Sequence, residues 1–250
     1  MKKAAKFLVK IVDHMVNFIA LLLILMVMFL SCYMLWDSNQ VYQAADAKNY
    51  EAYIPTEKHT KSFEELQKIN PDIIGWIRIN ETNVNYPLLQ TDDDDTYMNT
   101  DAEGKYSLSG AIFLHCGNKP DFSDFNNIIY GHSVQGGGMF TLLKNFSSKS
   151  FFDSHLDFYL LTPEQNYKCN VFCYSKSNNE SVFYAKDFGE ERQETLNKLK
   201  NESLYCNEDV DTDSPMVTLS TCDLDYGLHS NRRLLLSGFL DEYDEQIVVH

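Results

Sequence analysis

Apolar positions fall into three regimes along this chain. From Val16 to Trp36 they are continuous, with only Asn17, Ser31 and Cys32 interrupting 21 residues of apolar character. From Asp37 to Thr60 the sequence turns polar and rich in Ala, Gln, Glu and Lys, which predicts a helical stalk. Phe63 to Ile69 then reads as a short amphipathic helix, capped by Ser62 and ended by Asn70-Pro71. Beyond it the pattern becomes extended. Ile73 to Ile79, Asn83 to Gln90, Ala111 to His115, Asn127 to Gly131, Leu156 to Thr162, Tyr167 to Ser175, Pro215 to Cys222 and Arg233 to Leu240 are apolar runs of strand length between turn residues. Met139 to Lys144 follows three glycines and reads as helical. So does Gly189 to Leu204, where Leu196, Leu199 and Leu204 recur at helical spacing. The second helix falls in a connection of about 40 residues between two strands, a length that marks a wall or lid over a site. Eight strands with few helices predict one mainly β domain of the α+β type, a barrel or sandwich rather than βαβ units.

The first regime has the dimensions of a membrane span. At ~1.5 Å per residue, a helix of that length covers about 30 Å, the thickness of a hydrocarbon core. Tyr33 and Trp36 stand where an interfacial aromatic belt belongs. Lys2, Lys3, Lys6 and Lys10 precede the span, so residues 1–15 are expected in the cytoplasm and the remainder outside the cell. A cleaved signal peptide fits less well. Its apolar region would be shorter, and the small-residue site Ala45-Asp46-Ala47 lies too far downstream. Phe29-Leu30-Ser31-Cys32 is a poor match to a lipoprotein cleavage box. An uncleaved single-pass anchor at 16–36 is the expectation.

Charge and cysteines narrow the function. The chain carries a formal −15; residues 1–15 hold net +3 and the span holds none, leaving −18 on the exported part. Phosphates would be repelled, which excludes a general nucleic-acid binder. The six cysteines, Cys32, Cys116, Cys169, Cys173, Cys206 and Cys222, have irregular spacings and no C-x-x-C, so no zinc site is expected. An exported domain can form disulfides, but Cys169 and Cys173 are too far apart along one strand to bridge easily. Most are expected to be buried apolar residues, with one left for chemistry.

That one is Cys222. Val217-Thr218-Leu219-Ser220-Thr221-Cys222 reads as a buried strand with a thiol at its end, and Arg233 opens the next strand eleven residues later. A fixed guanidinium would favour both a thiolate and the oxyanion that follows its attack. Taken alone, a cysteine at a strand end is usually a small apolar filler. Among seven histidines, His132 follows the apolar run Asn127-Ile128-Ile129-Tyr130-Gly131 and precedes Gly136-Gly137-Gly138. A strand-end imidazole beside glycines suits acid–base work, although a hydrogen-bonded structural histidine is the commoner case. His155 and His229 read as solvated loop residues. His115 and Cys116 are expected to point to opposite faces of a strand and to be structural. Arg232 remains an alternative to Arg233, since alternation turns one inward and one outward.

These residues resemble the sortases, membrane-anchored transpeptidases of Gram-positive bacteria. Val217 to Cys222 is similar to their T-L-x-T-C signature. Ile128-Ile129-Tyr130-Gly131-His132, Asn70-Pro71-Asp72-Ile73-Ile74-Gly75-Trp76-Ile77, Asn85-Tyr86-Pro87-Leu88-Leu89-Gln90, the Tyr97 segment and Gly138-Met139-Phe140 resemble class B landmarks. The resemblance runs from Phe63 to Leu240. It implies an eight-stranded β-barrel with N-terminal helices and a helix between the sixth and seventh strands. It implies a basic segment at 1–15, an anchor at 16–36, a stalk at 37–62 and a catalytic domain at 63–250. It makes Cys222 the nucleophile, His132 the acid/base and Arg233 the oxyanion and substrate clamp. Ser220 and Thr221 flank the nucleophile, and Met98, Phe183 and Tyr184 correspond to cleft positions, with a place in the core as their bland alternative.

The implied partners are exported proteins bearing a C-terminal sorting motif, and an acceptor amine from a peptidoglycan precursor or a pilin lysine. No metal or cofactor is required. Asp94 replaces an Asn found in some class B enzymes. Asp92 to Asp95 lack the spacing of a calcium loop and read as a solvated acidic turn. Two rivals remain open: a surface cysteine protease, and a non-catalytic envelope scaffold of the same fold.

Overall fold

The computed structural model describes residues 2–53, 61–134, 136–227 and 230–244. His59, His229, His250, the end of the expected stalk and the Ser62 cap lie outside the described residues or side chains. The chain divides into two compact units, Met1–Gln43 and Ala44–His250.

The first unit belongs to a single helix, α1 (Lys2–Ala44), with neither Gly nor Pro to break it. It is long and apolar enough to cross a membrane, and its side chains from Phe7 to Trp36 are exposed. The helix continues past Trp36 to Ala44, and from Ala45 the chain is already packed. Ala45 is buried, its carbonyl accepts the Tyr86 hydroxyl at 2.7 Å, and Tyr50 stands edge-on to Tyr86. The segment read as a polar stalk therefore contains part of the second unit. The signal was two small or aromatic residues in a polar run, too sparse to register as a period.

In the second unit α2 (Lys61–Ile69) precedes β1 (Ile73–Arg78) and β2 (Asn85–Leu89). The strands β3 (Ile112–Leu114), β4 (Asn126–Tyr130), β5 (Asp157–Leu161) and β6 (Asn166–Asn178) follow. The last three are β7 (Tyr205–Cys206), β8 (Met216–Cys222) and β9 (Arg232–Glu242). The order across the sheet is β5-β1-β2-β3-β4-β8-β9-β6, and β5 also pairs with β6, so eight strands close on themselves. The eight-stranded barrel expected from the resemblance is present, with β7 as an extra strand on β6. Closure removes exposed edges from the barrel. Aromatic side chains fill its interior and flanks: Trp76, Tyr86, Phe140, Phe158, Tyr174 and Phe239 have essentially no exposed surface.

The long connection carries α4 (Arg192–Glu202), preceded by a 3-10 turn at Gly189–Glu191. Leu196 and Leu199, on one face, pack with Phe172, Phe183, Phe188 and Phe239. Full burial of each leucine stabilises the fold by about 1.5–3 kcal/mol. Two elements were not visible in the pattern. β7 has only two residues, too few for a period. It is held by a disulfide between Cys173 and Cys206, 33 residues apart, a pairing that the irregular spacing of the cysteines had left open. The helix α3 (Lys149–Ser154) is made of weak helix formers and is retained by the burial of Phe152. Cys169 is free and fully buried, the apolar filler anticipated.

Candidate active site

Three neighbouring strands end together. β4 and β8 run parallel with Tyr130 opposite Ser220, so His132 and Cys222 each lie two residues beyond the same rung. The Gly131 N–H donates to Ser220 O at 3.1 Å and holds the two ends in register. β8 and β9 are antiparallel with Cys222 directly opposite Arg233. Adjacent strands are about 4.8 Å apart, and directly opposed residues place their side chains on the same face. The result is an imidazole, a thiol and a guanidinium side by side at one end of the barrel. All three line a cavity of about 440 Å³.

Each is oriented by its surroundings. A His132 Nε2–Met98 O contact of 2.8 Å orients the imidazole. Gly110 makes that approach possible: at φ +57°, a Cβ there would lie 2.8 Å from Met98 O and 3.0 Å from His132 Cδ2. Gly131 plays a similar part, since a Cβ would stand 2.6 Å from the Phe140 ring. Cys222 is half-buried. Arg233 Nη1 donates to Ser230 O and Arg232 O, both at 3.0 Å, which fixes the guanidinium on its own loop. Both bonds come from Nη1; Nη2 and Nε take no part in them. Arg232 is exposed and stacks over the Tyr226 ring at 5.4 Å. Of the two arginines, the cavity takes Arg233.

Of the five expected substrate contacts, four reach the cavity: Met98, Tyr184, Ser220 and Thr221. The hydroxyls of Ser220 and Tyr184 are 2.6 Å apart, and Thr221 donates to the Ser133 hydroxyl. Phe183 requires correction. It has no exposed surface and packs against α4, because consecutive residues of the 3-10 turn Val182–Tyr184 point in different directions. The turn sends Phe183 into the core and Tyr184 toward the nucleophile. Asn126 fixes that turn, donating to Phe183 O at 2.7 Å and Ala185 O at 2.9 Å while accepting from Thr218.

Tyr130 and Asn179 also line the cavity. The Tyr130 ring is 6.3 Å from Tyr184 in a stacked arrangement and 5.3 Å from Phe113, so one wall is aromatic. Burial, and then the nearby Asp94 carboxylate, push the Tyr130 phenol above its ordinary range. Burial likewise raises Tyr184. Both stay protonated at neutral pH.

His115 and Cys116 depart from the sequence reading. They fall beyond the end of β3, in a turn, and so do not obey strand alternation. His115 lines the cavity, with Nδ1 2.5 Å from Asp94 Oδ2, and the Cys116 N–H donates to Asp94 Oδ1 at 2.7 Å. The acidic turn is accordingly not uniformly solvated. Asp93 caps Asp95 and Thr96, whereas Asp94 is engaged by the neighbouring turn. Desolvation and then Asp94 push the Cys116 thiol up, opposite to what a nucleophile needs.

A closed eight-stranded barrel with a thiol, an imidazole and a guanidinium on adjoining strand ends is the architecture of a cysteine transpeptidase. The sortase domain family matches residues 77–240, and the chain belongs to that family. Sortase B of Listeria monocytogenes is 32% identical over 174 residues, covering 68% of this chain and 71% of the relative. Sortase B of Staphylococcus aureus is 30% identical over 206 residues, covering 81% and 82%. Among solved structures, S. aureus Sortase B superposes with a TM-score of 0.70 at 28% identity, over 79% of this chain and 96% of that one. A Streptococcus pyogenes class B sortase involved in pilus biogenesis gives 0.65 at 34%, over 72% and 97%. Its neighbours place it with the class B sortases.

Proposed function

We propose that this protein is a membrane-anchored transpeptidase that cuts a C-terminal sorting motif after its Thr and passes the acyl group to an amine. The observation that carries the reading is the convergence of Cys222, His132 and Arg233 on one cavity from three neighbouring strands. Cys222 thiolate attacks the Thr carbonyl carbon. The oxyanion is met by the Arg233 guanidinium, which gains more from that charge than from the neutral carbonyl. His132 protonates the departing amine, and a thioester remains on Cys222. An incoming amine then attacks the thioester, His132 takes its proton, and the thiolate leaves. Met98, Tyr184, Ser220 and Thr221 border the path of the motif. Helix α1 is read as the anchor, with residues 1–15 in the cytoplasm and the catalytic unit outside the cell.

The acceptor is an amine of a peptidoglycan precursor or a pilin lysine. The S. pyogenes relative is a class B sortase involved in pilus biogenesis, which supports the second. Incubating the protein with a sorting-motif peptide library, with and without an added amine, tests the reading. A transpeptidase yields peptide–amine conjugates that grow with amine concentration at the expense of hydrolysis. Products that stay purely hydrolytic at saturating amine would favour the surface-protease alternative, and no cleavage at all the non-catalytic scaffold.

A further inference from the structure

Asp94, His115 and Cys116 meet at the cavity wall. One ligand atom from each, a carboxylate oxygen, a ring nitrogen and the thiol sulfur, all lie within 4.8 Å of one another, and each residue is partly buried. Adjacent residues converge here only because the chain leaves β3 at Leu114 and turns at once. The turn is pinned from outside: Gln90 Nε2 donates to His115 O at 3.0 Å and to Asn118 O at 2.8 Å. The His115 ring is held edge-on to Tyr130, with centroids 6.0 Å apart. Gly117 leaves room for it, since a Cβ there would be 3.0 Å from Nε2. The ring and the carboxylate are thus held by contacts that do not depend on an ion.

The donor set is specific in kind. One sulfur, one nitrogen and one oxygen suit zinc-type ions, with metal–ligand distances of about 2.0–2.3 Å. Calcium and magnesium call for oxygen ligands and are disfavoured by the thiolate and imidazole. The three ligand atoms, spread within 4.8 Å, draw together to reach those bond lengths. Three protein ligands leave one tetrahedral position free, and Asp94 and His115 already border the cavity that contains Cys222. We propose that Asp94, His115 and Cys116 form a binding site for a zinc-class divalent transition-metal ion on the wall of the catalytic cavity, its fourth position facing that cavity. On binding, the Cys116 proton passes to solvent as the metal–sulfur bond forms. The Asp94–His115 hydrogen bond gives way to two metal–ligand bonds, the Nδ1 proton being lost to solvent or, by exchange with solvent, transferred to Nε2.

The test uses the full chain in detergent micelles with Co2+ as a spectroscopic probe and Zn2+ as competitor. The Cys222→Ala chain is expected to take up about one equivalent of Co2+ with a thiolate-to-cobalt charge-transfer band that Zn2+ abolishes. Cys116→Ser should lose that band, and His115→Ala should weaken binding at least tenfold. A measurement without substitution accompanies these, because a variant can fail to fold. In the unaltered chain Zn2+ should slow maleimide labelling of Cys116, read by peptide mass, and leave Cys32 unaffected. Absence of Co2+ uptake, a band that survives in Cys116→Ser, a band that vanishes in Cys222→Ala, or unchanged Cys116 labelling each overturns the proposal.

Discussion

Arg232 and Arg233 are adjacent and chemically identical, yet they stand in different electrostatic settings. Arg233 faces Cys222 across the β8–β9 pair, while Arg232 stacks on Tyr226 in solvent. Only a charge positioned at the developing oxyanion lowers the barrier, so the two should separate sharply in kinetics. Arg233→Ala is expected to reduce kcat/KM for a sorting-motif peptide by about 10²–10³, and Arg232→Ala by less than about threefold. Equal effects of the two substitutions in a steady-state assay would remove Arg233 from its assigned role. The same scale shows what a sequence conceals. Alternation left both arginines open, since the choice depends on where β9 begins. Phe183 and Tyr184 were indistinguishable as neighbouring aromatics, and a single 3-10 turn sorts them into core and cavity. Asp94 and His115 are 21 residues apart and meet only because β2 and β3 pair in parallel, a register that local pattern does not encode.

At the scale of elements, the eight barrel strands were legible because each buries a run of apolar residues between turn formers. Their boundaries fall within a few residues of the expected ones. What escaped was structure with no period of its own: the two-residue β7 and the disulfide that ties it to β6. That bond closes the connection carrying Tyr184 and α4, so it stabilises the segment that forms one side of the cavity. Closing a loop of 33 residues is worth about 3–4 kcal/mol in the chain-entropy picture. Cys206→Ser, or reduction of the native chain, should therefore lower unfolding free energy by about that amount in urea titration. An unchanged midpoint would mean that the tie contributes nothing to the fold.

At the scale of the whole molecule, the proposed function gives placement to the long apolar helix and chemistry to the second unit. The full chain should sediment with membranes and resist high-salt extraction, while a chain beginning at Ala44 should be soluble and still process peptide. Release of the full chain by salt alone would contradict an anchoring role for α1. In the proposed mechanism Cys222 is the acyl acceptor. Intact mass spectrometry of the protein after incubation with a sorting-motif peptide measures that directly. The expected result is an adduct equal to the motif acyl fragment, mapped to Cys222, discharged by added amine, and absent from Cys222→Ala. Peptide cleavage with no adduct on Cys222, or undiminished cleavage by Cys222→Ala, would contradict it.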